Sequence, residues 1–206
     1  MDGLLHAYLH RFMDVSEEEV SFIERYAEVR HFDKKVRLID IGEPERYLNF
    51  VVKGVLKKFF FDRRQEEVIT QIAKEGELIC SSVSFLAGGA SVYAIETIEP
   101  ATVITFSKDG IEAIYRYSYR MERLGRLIVT DWFIRKEQWE LIRLQLSPKQ
   151  RFLSFITANP NLLIRVPQKS LASYLNIKPE TFSRYKHLLT QKLHRQPQKS
   201  DIVVHY

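Results

Sequence analysis

No proline interrupts the chain between Ile111 and Gln145, and the apolar residues of that stretch recur at helical spacing. Met121, Ile128 and Ile142 stand on a seven-residue grid that Arg135 interrupts, and Leu127, Ile134 and Leu141 form a second column beside it. With Leu124 alongside, the two columns make a broad apolar stripe down a single helix of roughly 30 residues. A small domain cannot cover that much apolar face. Pairing through these residues with a second copy of the chain is the expected solution.

Upstream of the helix the pattern is short and strand-like. Ser16-Glu17-Glu18-Glu19 first has the form of a capping box, in which the serine hydroxyl and the glutamate three residues on satisfy free amides at a helix start. From about residue 29 turn signals follow one another closely. The spacing predicts a hairpin over Tyr47–Phe61 with Lys53-Gly54 at its turn. Further strands are expected at Glu67–Ile72, Val92–Ile98 and Ala101–Phe106, the last two around Glu99-Pro100. The fold class is therefore α+β. Residues 1–110 are expected to form an antiparallel β-barrel of jelly-roll-like type, 111–145 the long connecting helix, and 146–206 a helical C-terminal domain.

Composition removes several function classes. The 206 residues include one cysteine, so neither a disulfide framework nor a thiolate-rich zinc or iron–sulfur site can form within the chain. His31 is the only histidine between residues 11 and 186, too few for a metal-dependent enzyme built on barrel strands. His6 and His10 share one face if their segment is helical, and read as a surface pair. No metal, no cofactor and no enzymatic activity are expected. No apolar run is long enough to span a bilayer, and the N-terminal MDGLLHAYLHRFMD lacks a signal pattern, so a cytoplasmic protein without membrane contact is expected.

The charge is unevenly placed. The chain as a whole carries a formal +5, but residues 147–206 hold ten lysines and arginines against two acids. A small basic unit thus follows a slightly acidic one, an electrostatic footprint for nucleic acid. Ser147-Pro148 ends the long helix and opens the next, since proline suits the first helical position. Within the basic unit, VPQKSLASYLNIKPETFSRYKHLL reads as helix, tight turn, helix. Leu171, Ala172 and Leu175 point inward from the first helix, and Phe182, Tyr185, Leu188 and Leu189 from the second. Asn176 stands at the turn, where it tolerates left-handed backbone. Glu180, Thr181, Ser183, Arg184 and Lys186 are left on the outer face.

This is the layout of a helix-turn-helix whose second helix enters the major groove of double-stranded DNA. Arg184 has the fork geometry to read guanine, and Glu180 can accept from a cytosine amine. Gln168, Lys169, Lys178, Thr181, Ser183 and Lys186 are placed for phosphates and flanking contacts. The closing DIVVHY, Asp201 to Tyr206, reads as a strand, giving a winged helix-turn-helix. The same helical unit also fits a ligand-sensing subunit that docks protein rather than DNA.

A strand-rich domain, one long helix and ASYLNIKPETFSRYKHLL near the end resemble the CRP/FNR family of transcription regulators. The resemblance implies a homodimer on a near-palindromic site, with RNA polymerase as a partner. The family's Glu-Thr-x-x-Arg pattern stands here as Glu180-Thr181-Phe182-Ser183-Arg184. The residue before it, often basic, is Pro179. In the sensor half, KEGELICSSVSFLAGGASVYAIE places Cys80-Ser81 where cyclic-nucleotide binders carry Gly-Glu, and Ala90-Ser91 where they carry Arg-Ser. Without that arginine there is no bidentate clamp for a cyclic phosphate. Glu77, Cys80, Ser81, Ser82 and Ser91 are the implied effector pocket, degenerate toward cyclic AMP and with its own effector unassigned.

Overall fold

The structure, a computed structural model, describes residues 3–195. It divides into two compact units, Met1–Leu144 and Gln145–Tyr206.

The first unit opens with α1 (Gly3–His10) and α2 (Glu17–Glu24). The predicted capping box is present: Glu19 N donates to Ser16 Oγ, and Ser16 N donates to the Glu19 carboxylate. Eight strands follow: β1 (Ala27–Phe32), β2 (Arg37–Ile39), β3 (Tyr47–Lys53), β4 (Leu56–Phe61), β5 (Glu67–Ala73), β6 (Leu78–Ile79), β7 (Ala94–Thr97) and β8 (Ala101–Ser107), with α3 (Ser82–Ala87) before β7. They form two antiparallel sheets, ordered β1-β8-β3-β6 and β2-β7-β4-β5, which agrees with the α+β class expected.

The expected hairpin over Tyr47–Phe61 does not form. β3 pairs with β8 and β6, whereas β4 pairs with β5 and β7, so the two consecutive strands lie in opposite sheets. The reason lies at Gly54. Its φ of +98° and its seating against Pro100 O and Ala101 turn the chain through a corner between the sheets. The true hairpin is one step later, β4 to β5, where Asp62 Oδ1 accepts from Arg64 N and Glu66 N and folds the turn.

Side chains alternate across the first sheet. Phe50 and Ile104 join Leu5, Leu9, Val20 and Ile23 in a core shared with the helices, while Val51 and Val103 face Leu56 and Ile95 of the second sheet. The helix after the sheets is not continuous. α4 (Lys108–Tyr117) stops at Ser118, whose backbone is extended, and α5 (Tyr119–Gln145) starts afresh. Ser118 caps that start by accepting from Met121 N through both its hydroxyl and its carbonyl.

The second unit holds α6 (Pro148–Ala158), α7 (Leu162–Arg165), α8 (Gln168–Tyr174) and α9 (Pro179–Arg195). Ser147 caps α6 in a full capping box with Gln150, and Pro148 takes the first helical position. The expected closing strand, Asp201 to Tyr206, lies outside the described residues.

Candidate functional site

Leu175 caps the end of α8, and Asn176 takes φ +52°, the left-handed conformation the turn requires. Ile177 N donates to Ala172 O at 2.9 Å and Asn176 N to Ser173 O at 3.0 Å, the paired bonds of a Schellman motif. Leu171, Ala172, Leu175 and Phe182 are fully buried, and Phe182 and Tyr185 pack on Phe152 of α6. Leu188, expected inside, is 47% exposed. Three-residue steps from Phe182 fall short of a whole helical turn, so by Leu188 the side chain has drifted off the inner face. Leu189 lies outside the described side chains.

Arg151 of α6 is 7% exposed and fixes this turn from behind. Its Nε donates to Leu175 O at 2.9 Å, Nη2 to Asn176 O at 3.0 Å and Nη1 to Leu146 O at 2.6 Å. These are carbonyls that a helix end otherwise leaves unpaired. One of the ten basic residues is thus structural, and adds little to the outer face.

On that outer face, Glu180 and Arg184 stand four residues apart, both exposed, one turn along α9. Ser183, Lys178, Gln168 and Lys169 are also exposed, with Thr181 and Lys186 half-buried. Glu180 and Arg184 have no ion-pair partner among the described residues; Arg184 leans over the Tyr185 ring, 5.7 Å from its centroid.

The sensor unit holds a separate polar cluster. Ser81 and Ser91 are nearly inaccessible and lie in contact, their hydroxyl oxygens 2.7 Å apart. Ser91 Oγ also reaches Tyr93 O at 2.7 Å and accepts from Tyr93 N. Ser81 N donates to the Glu45 carboxylate at 3.0 Å, and Tyr47 N bonds the other oxygen at 3.2 Å. Burial pushes the Glu45 carboxyl above the usual range, partly offset by these amide bonds. Lys58 of β4 crosses to this cluster, donating to Cys80 O at 3.2 Å. Cys80 is fully buried, and burial pushes its thiol up to about 12, the behaviour of a small core residue and not of a reactive thiolate.

No family model and no curated protein matches the sequence. Solved structures do match it, over most of its length. FixK2 from Bradyrhizobium japonicum superposes with a TM-score of 0.69 at 17% identity, covering 81% of this chain and 85% of that one. CLP, the c-di-GMP responsive global regulator of Xanthomonas campestris, gives 0.66 at 12% identity, covering 86% and 93%. The Catabolite Activator Protein of Thermus thermophilus gives 0.56 at 20% identity, covering 90% and 87%. The chain has the CRP/FNR fold.

Within this CRP/FNR fold, the residues expected to form an effector pocket separate into two groups. Cys80, Ser81 and Ser91 come together, and Ser82 opens α3 beside them. Glu77 lies apart. Its carboxylate caps the Lys74–Glu77 turn by accepting from Lys74 N, and burial holds it above the usual carboxylate range. Glu45 and Lys58 belong to the cluster and were not foreseen. For Lys58 the signal was present: in LKKFFF, a period of two puts it on the same face as Leu56 and Phe60.

The residues expected on the dimer face also divide. Met121 and Leu124 are buried in the core of their own unit, with Ile128 packed against it. Burying a large apolar side chain contributes about 1.5–3 kcal/mol, so these residues hold the start of α5 on its own sheet. They are not part of a free face. Beyond Tyr119 at the start of the helix, the exposed apolar residues of α5 are Val129, Phe133 (62%), Ile134 (48%), Leu141 (51%) and Leu144 (77%). Leu127 is half-buried. Among the described residues no helix is long and apolar enough to cross a membrane.

Proposed function

We propose that the chain is a sequence-specific transcription regulator of the CRP/FNR family and not an enzyme. It acts as a homodimer on a near-palindromic site in double-stranded DNA, with RNA polymerase as its partner on the promoter. The reading is carried by the α8–turn–α9 pair. It is a helix-turn-helix whose turn is locked from inside, while Glu180 and Arg184 face outward in the Glu-Thr-x-x-Arg pattern. The regulators that share the fold support it. Residues 1–110 serve as sensor domain, 111–145 as connecting and dimerisation segment, and 146–206 as the winged DNA-binding domain. The exposed apolar residues of α5, Ile134 and Leu141 with Phe133 and Leu144, form the dimer face, and Leu127 lies at its edge.

In this assignment Arg184 and Glu180 read bases, while Gln168, Lys169, Lys178, Thr181, Ser183 and Lys186 hold phosphate or flanking positions. Selection of random duplexes by the purified protein is expected to recover a two-fold-symmetric motif. Arg184→Ala should cost about 1–3 kcal/mol and relax one base position in each half-site. Lys169→Ala should instead weaken all sequences alike and lower the salt slope by about one ion. Recovery of no symmetric motif, or an equal effect of both changes on base preference, would contradict this assignment.

The sensor pocket is degenerate toward cyclic nucleotides. Ala90 stands where an arginine would clamp the phosphate, and Ser81 and Ser91 are bonded to each other and to backbone. Isothermal titration with cyclic AMP is expected to give no heat at micromolar concentrations. A micromolar affinity that Ser91→Ala abolishes would overturn that expectation.

A further inference from the structure

α1 is held to the sensor core along one side, where Leu5, Tyr8 and Leu9 are buried. Its other side carries His6, exposed, and His10, half-buried, one helical turn apart. The pair lies on the surface, as its spacing suggests, but the two rings are not independent. Nε2 of His6 and Nε2 of His10 stand 3.3 Å apart, with ring centroids 4.3 Å apart and planes inclined by 48°. Two neutral imidazoles that meet in this way can share only one proton, donated by one nitrogen to the lone pair of the other.

The same separation is the bite of a metal ion. Two Zn–N bonds of about 2.0–2.1 Å at a tetrahedral angle place their nitrogens about 3.3 Å apart, so the rings already stand at the spacing zinc needs in place of the shared proton. Histidines at i and i+4 are also the pair by which one helix face presents two ligands to zinc. Asp14 bears on the other ring nitrogen: its Oδ1 lies 3.5 Å from Nδ1 of His10. A proton on Nδ1 is drawn toward that carboxylate, which leaves Nε2 as the ligand atom. The backbone of Asp14 is held in turn, its carbonyl accepting from Arg120 Nη2 at 2.6 Å. Arg11, the cation next to His10 in the chain, leans over the rings of Tyr8 and Phe12.

We infer that His6 and His10 form a surface binding site for a zinc-like transition-metal dication, held by the two Nε2 atoms and completed by water. Among the described residues no group of three or more metal-ligating side chains occurs, so the protein supplies two ligands and the affinity is micromolar, far below that of a structural four-ligand site. Imidazole ligands select zinc and its neighbours over magnesium and calcium, which take oxygen. The site departs from the expectation of a chain without metal, which rested on the single cysteine and on the scarcity of histidines in the strands. It is independent of the DNA-binding assignment, and its test contains no DNA.

Titration of the tag-free full chain with zinc chloride in a non-coordinating buffer tests the site, read by calorimetry and by the nitrogen-15 resonances of the imidazoles. A saturable phase is expected in which the Nε2 resonances of His6 and His10 shift together while their Nδ1 atoms stay protonated. Magnesium chloride should leave both resonances in place. His6→Gln and His10→Gln should each weaken the apparent Kd about tenfold or more, because either leaves a single imidazole. His31→Gln, in β1, should leave it unchanged. Should a glutamine variant fail to fold, the paired shift in the wild-type protein still decides. No saturable phase up to about 1 mM zinc, a shift of only one of the two Nε2 resonances, or wild-type affinity in either glutamine variant would overturn the proposal.

Discussion

Replacing Arg151 with alanine is expected to destabilise the C-terminal unit by about 3 kcal/mol and to abolish DNA binding, although Arg151 is nowhere near the outer face of α9. The guanidinium bonds three backbone carbonyls, two of them in the α8–α9 turn itself. Removing it leaves those carbonyls desolvated, and desolvation is the larger part of the cost. Arg151→Lys should recover only part of the stability, because one ammonium cannot present a planar fork to carbonyls at three positions. The two tryptophans, Trp132 and Trp139, both lie in α5, so their fluorescence reports on the first unit while far-ultraviolet circular dichroism sees both. In denaturant, the alanine variant should lose helical signal early while the tryptophan transition stays in place. A dichroism curve identical to that of the wild type would show that the turn does not need this support.

Gly54→Ala is expected to be the most damaging single change in the sensor unit, at about 2–5 kcal/mol. Two costs add. A φ of +98° is strained for any residue with a Cβ, and a Cβ placed there meets Pro100 O at 2.6 Å and Ala101 Cα at 2.8 Å. Both obstacles are backbone, so neither can swing aside. The tryptophan transition should move to lower denaturant this time. A shift no larger than that of an alanine placed at an ordinary exposed glycine would mean that the corner can relax.

How much of this was legible in the sequence depended on how far each feature reaches along the chain. Features closed within one turn of helix were readable: the Ser16–Glu19 capping box, the left-handed Asn176, the outward Glu180 and Arg184. Strand positions were readable too, because a period of two is local. Strand partners were not. Lys53-Gly54 carries an ordinary hairpin signal, and only Pro100 and Ala101, far along the chain, turn it into a corner between sheets. The break at Ser118 has no signature in the sequence, because the apolar columns start at Met121 and nothing earlier has to continue the same helix. In the sequence Arg151 is indistinguishable from the surface charge, since no local pattern separates a guanidinium that points at carbonyls from one in water. Lys58 was hidden differently. Its inward register could be read, but an inward lysine contradicts the hydrophobic rule by which inward positions are recognised.

The sorting of consecutive strands into opposite sheets also sets an order of events during synthesis. Among the described residues β1, complete at Phe32, pairs only with β8, whose residues run to Ser107. A nascent chain must therefore carry its first strand, with the edge that β8 will cover still open, until some seventy further residues have been added. The α8–turn–α9 pair has no such wait, because its contacts join neighbouring segments. Synthesis thus exposes the sensor unit for longest, and chaperone demand should fall on the interval in which β1 has emerged and β8 has not.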